Sequence, residues 1–185
     1  MTRRALVLLV LLVFTLFTGT IALAQDETAE APAAEAVAQE DAAPAPAASG
    51  GLITGLRHLH AWVRWAVVVL AVLALVKFIA GLVQGSAYDA LANRLIRLFG
   101  MALGLQWLIG LIFFVVLGQF NVGYRWEHAI TMTIAVAVVE MLTRRKSAAD
   151  NVRYRNGVIA ILVALVLIYI GVARLPQGWM VTPSI

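Results

Sequence analysis

Apolar residues run almost without a break over 60–83, 98–120, 126–143 and 157–175, and polar residues gather in the stretches between them. Each run is close to the ~20 residues with which a helix crosses ~30 Å of hydrocarbon. Four spans are too few to close a barrel, and the bilayer interior penalises every unpaired backbone group, so helices are nearly obligatory. The pattern therefore predicts an all-α fold, an integral membrane four-helix bundle over residues 52–185, with connections at 84–97, 121–125 and 144–156.

The first 51 residues read differently. "MTRRALVLLVLLVFTLFTGTIALAQ" has a basic start (Arg3, Arg4), a short apolar core and an Ala22-Leu23-Ala24 site before Gln25. That is the layout of a cleaved secretory signal peptide over residues 1–24. An uncleaved first helix is the rival reading, and the immediate switch to polar sequence disfavours it. Residues 25–51 are acidic and rich in Ala and Pro, with no aromatic residue. Such a segment buries too little surface to offset its ordering entropy, which predicts a disordered external tail.

Composition agrees with the membrane class. Hydrophobic residues are 62% of the 185, charged residues 13%, and the mean hydropathy is +0.91. A soluble domain of this length has too little interior for so much apolar surface. The absence of cysteine excludes disulfides, thioether-linked haem, cysteine-held iron–sulfur clusters and thiol catalysis.

The net charge of +4 combines two separate populations. Asp26, Glu27, Glu30, Glu35, Glu40 and Asp41 crowd the tail, while basic residues sit mainly between apolar runs. With the tail outside, Arg94 and Arg97 fall in one inner connection, and Arg144, Arg145, Lys146, Arg153 and Arg155 in the other. The outer link carries only Arg125 and the C-terminus only Arg174. This bias is the positive-inside pattern, so the basic residues predict topology and not nucleic-acid binding. It predicts a multi-pass protein of the bacterial inner membrane with both chain ends on the periplasmic side.

The same topology brings the candidate chemistry to one end. "LRHLHAWVRW" (56–65) and "YRWEHAITM" (124–132) both open apolar runs, which places His60 and His128 at the outer ends of the first and third spans. Two histidines at equal depth on different helices can ligate one metal from both sides, as in membrane-bound b-type haem. Arg64 shares a helix face with His60, aimed where a haem propionate or a carboxylate such as Glu127 would need it. An aromatic belt of Trp62, Trp65, Trp107 and Trp126, with histidines and arginines as border residues, explains the same stretches without a cofactor. A copper or zinc site of His58 and His60, completed by Glu127 or His128, needs a non-helical start to the span, because helical positions two apart point about 200° apart.

Other polar groups inside the runs have ordinary expectations. Gln106 in "LGLQWLIGL" predicts an interhelical hydrogen bond, and the Gly100/Gly104 pair close helix packing. Glu140 predicts a border salt bridge to Arg144, and Lys77 a side chain snorkelling to the inner face. No Walker loop, nucleophile elbow or zincin motif is present, so the reading stops at a redox carrier or subunit and does not extend to an enzyme with its own pocket.

With "HLHAWVRW", "LQWLIGL", "WEHAITM" and "ARLPQGW" in this order, residues 52–179 resemble a family of small four-helix bacterial membrane proteins often labelled "cytochrome B" or left uncharacterised. The matching positions are His60, Arg64, Gln106, Glu127 and His128. The resemblance strengthens the expectation of haem b held by His60 and His128. For such a carrier the expected partners are the lipid bilayer and quinone or other redox membrane proteins, with homo- or hetero-oligomers. Some members carry a further histidine late in the third helix; Glu140 and its neighbours occupy that region here, which argues against a second haem. A cofactor-free accessory subunit of a larger membrane complex is the competing expectation.

Overall fold

A computed structural model describes residues 47–144, 147–176 and 178. The signal peptide (1–24) and residues 25–46 of the tail lie outside the described residues. Those described form four helices and no strand: α1 (Ala47–Gln84), α2 (Ala90–Leu117), α3 (Gly123–Thr143) and α4 (Asp150–Ala173). Three of them, α1, α2 and α4, are long and apolar enough to cross a membrane. The fourth expected span corresponds to α3, which carries Arg125, Glu127 and Glu140 and is too polar to meet that standard by composition.

The helix ends follow local chemistry. α1 stops where Gly85 turns left-handed (φ 65°) and the Ser86 amide donates to Gly81 O at 3.1 Å, a six-to-one closure that satisfies a late carbonyl. Asp89 caps α2 by accepting the Ala92 amide at 2.8 Å, and Gly118 (φ 64°) ends it. These caps start α2 at residue 90 and end it at 117, displaced from the apolar run at 98–120. At the other end of α1, helix begins at Ala47, inside the stretch read as tail.

α1 packs on α2 and α4, and α3 on the same two neighbours, so α1 and α3 stand at opposite corners of the bundle. Inward positions recur at helical spacing: Val67, Ala71, Ala74 and Phe78 on α1, and Ala92, Ile96, Phe99 and Leu103 on α2. Outward positions are apolar too, including Val69, Val76, Met101 and Leu105. A continuous apolar exterior of this kind suits a hydrocarbon solvent.

Two glycines lock α1 against α4. The Tyr154 ring lies over Gly81, where a Cβ would stand 2.5 Å from Cζ, and the Phe78 ring lies over Gly157. The two rings meet edge to face at 5.6 Å, and Tyr88 packs on Tyr154 at 4.8 Å. Tyr154 donates its hydroxyl to Ala87 O at 3.0 Å, so this buried ring has its polar atom satisfied. Lys77 does more than snorkel: its ammonium pairs with Asp89, tying α1 to the cap of α2. That ammonium, followed by the Ala92 amide, holds the Asp89 carboxyl below its ordinary range.

Candidate polar site at the His60–His128 end

His60 sits half-buried on α1 with its ring laid on Gly110 of α2; a Cβ there would be 2.9 Å from Cε1. Gln106, one turn before Gly110, donates through Nε2 to His60 O at 2.9 Å. The expected interhelical bond of Gln106 is therefore formed, with a backbone carbonyl as its acceptor. Among the described residues, His60 Nδ1 and Gln106 Oε1 are buried without a hydrogen-bond partner. Such orphaned atoms are expensive in a low-dielectric interior, so they mark places where a further group would be welcome.

His128, on α3, stands 2.9 Å through Nδ1 from Gly171 O on α4. A carbonyl only accepts, so the proton is on Nδ1 and Nε2 is left with its lone pair. Donation of the second ring N–H to a backbone carbonyl is the arrangement that orients metal-ligating histidines. Gly171 is buried against Thr131 and Met132, which brings its backbone close enough for this bond. His128 and Arg64 both lie near enough to His60 for their charges to act on it. Arg64 rises one turn along α1, with Cζ 5.7 Å from the Trp65 ring.

Compared with family models, curated proteins and solved structures, the chain matches none. The chemistry of the site therefore rests on its own residues.

Not every predicted residue joins the two histidines. Glu127 is exposed, and its Oε2 lies 3.6 Å from Arg174 Nε just past α4. No local pattern in the sequence links Arg174 to Glu127, 47 positions earlier. α1 is helical through His58 and His60, and no group of three or more potential metal ligands is assembled among the described residues. The His-x-His copper or zinc site is thereby corrected: its two rings leave the helix in different directions. Glu140 also departs from expectation, forming no ion pair with Arg144 among the described residues.

The tryptophans divide between belt and bundle. Trp62 and Trp65 are exposed, as border residues are. Trp107 donates to Thr133 Oγ1 at 2.9 Å, joining α2 to α3, and Trp126 donates to Phe120 O at 2.8 Å, closing the connection between those two helices. What remains at the centre is a pair of imidazoles from opposite corners, one with Nε2 available and the other with an unengaged Nδ1. This donor chemistry suits axial ligation of a haem iron, and Arg64 is the nearby cation suited to a propionate.

Proposed function

We propose that this chain is a four-span membrane electron carrier, or a redox subunit of a larger assembly, with haem b ligated by His60 and His128. The observation that carries the proposal is the Nδ1 bond of His128 to Gly171 O, with the second histidine at the opposite corner. A neutral imidazole fixed in that tautomer keeps its Nε2 lone pair for a metal, which supports this reading. Bound haem would supply one-electron redox chemistry. The chain's own residues would orient it: Gln106 by holding the His60 backbone, Arg64 by neutralising a propionate. The bias of the loop charges supports a periplasmic position for this end in an inner membrane, where quinone or another redox membrane protein would exchange electrons with it.

A second reading is favoured by the seating of the His60 ring on Gly110 and by the Glu127–Arg174 pair. In it, these contacts are a polar cap on a cofactor-free accessory subunit. A dithionite-reduced minus oxidised spectrum of protein expressed with ample haem separates the two. An alpha band at about 560 nm that disappears in His128→Ala supports ligation. A flat spectrum from well-folded protein leaves the accessory subunit.

A further inference from the structure

At the end of the bundle away from the histidines, α2, α3 and α4 part around a cleft of about 400 Å³. Arg97 from α2, Arg144 after α3 and Arg153 from α4 all line it, together with the amide side chains of Asn93 and Asn156. Arg153 is held in place: its Cζ lies 3.7 Å from the centroid of the Tyr88 ring, and Tyr88 is itself packed on Tyr154. A guanidinium stacked in this way keeps its in-plane N–H groups for another partner. Glu140 is the acidic residue of the lining, and among the described residues it is ion-paired with none of the three arginines. Three guanidinium groups facing one carboxylate leave the cleft with a net positive charge.

We propose that this cleft binds the phosphate of an anionic ligand, with Arg97, Arg144 and Arg153 on the phosphate oxygens and the two asparagines as further donors. Planar forks converging from three helices suit a tetrahedral oxyanion, and basic clefts between helices at a membrane face are the usual seat of anionic headgroups. The wall formed by Met101 extends this toward lipid. That side chain lines the cleft yet is 70% exposed on the outer surface of α2. A ligand with a phosphate at the arginines and an apolar chain leaving past Met101 would match both surfaces. An anionic phospholipid has that form, and a free phosphate would use only the polar half.

The test uses delipidated full-length protein in a neutral detergent and follows thermal unfolding and binding with three probes. These are dihexanoyl phosphatidylglycerol, dihexanoyl phosphatidylcholine and inorganic phosphate. Arg97 and Arg144 are exposed, so Arg97→Gln and Arg144→Gln leave the bundle intact, and Arg155→Gln, an exposed arginine outside the cleft, is the control. Phosphatidylglycerol should raise the unfolding temperature, with each cleft variant weakening binding about tenfold and Arg155→Gln leaving it unchanged. Equal stabilisation by inorganic phosphate, lost in the same variants, identifies the free ion as the source. The proposal is overturned if neither phosphatidylglycerol nor inorganic phosphate binds, if phosphatidylcholine, whose headgroup is net neutral, binds as well as phosphatidylglycerol, or if Arg155→Gln weakens binding as much as the cleft variants.

Discussion

Gly81→Ala tests how α1 and α4 are joined. A methyl at 81 would stand 2.5 Å from Tyr154 Cζ and 2.7 Å from Cε1, whereas carbon atoms pack best at about 3.5–4.0 Å. The helices must part by about 1 Å, or the ring must turn out and give up its 3.0 Å bond to Ala87 O. Overpacking of this kind costs about 1–3 kcal/mol, and the lost hydrogen bond about 1 kcal/mol. Replacing glycine inside a helix returns about 1 kcal/mol, so the net destabilisation should be about 1–3 kcal/mol. The sign should change in a Tyr154→Ala background, where nothing opposes the added methyl and Gly81→Ala becomes neutral or stabilising. Reversible unfolding in mixed detergent micelles measures all four corners of the cycle. An equal cost of Gly81→Ala with and without the Tyr154 ring would refute the interlock.

Two further outcomes are expected. The Asp89 carboxyl titrates lower in the folded chain than in the unfolded one, so its contribution is complete above the ordinary aspartate value of about 3.9 and drains away as pH falls toward the folded value. Asp89→Asn keeps a capping oxygen but removes the charge, so acid unfolding curves should lose pH dependence in that window; an unchanged curve would discount the Lys77 pairing. Trp126→Phe should cost about 1 kcal/mol through the bond to Phe120 O. Trp126→Leu should cost a further ~0.5–1.5 kcal/mol through the edge-to-face packing on Phe114, read by unfolding and by faster amide exchange in residues 118–122.

The four helices and their order were legible because long apolar runs have few alternatives. Their ends were harder, since Asp89 and the polar first turns of α2 and α4 extend helix beyond the apolar stretch. Glycine roles were the least legible. The Gly100/Gly104 spacing suggested close packing, yet a Cβ at Gly104 would meet nothing within 4 Å. The tight approaches occur at Gly81, Gly110, Gly157 and Gly171, where a ring or a methionine fills the space. Spacing along one helix carries no information about which large side chain faces it from another. For the same reason Gln106 could be read as a hydrogen-bonding residue but its acceptor, His60 O, could not, and the Gly171 carbonyl under His128 left no trace in residue type.

The polarity of α3 has a consequence for how the chain is made. In the four-span arrangement proposed, a helix with Glu127, His128 and Glu140 gains too little from lipid to partition there unaided. α4 is strongly apolar, joined to α3 by a short connection, and offers the carbonyl that accepts the hydrogen bond from His128 Nδ1. α3 would therefore wait at the mouth of the translocation channel until α4 emerges from the ribosome, and the two would enter as a hairpin. A chain truncated at residue 149 would leave α3 open to water-soluble labelling reagents, and the full-length chain would not.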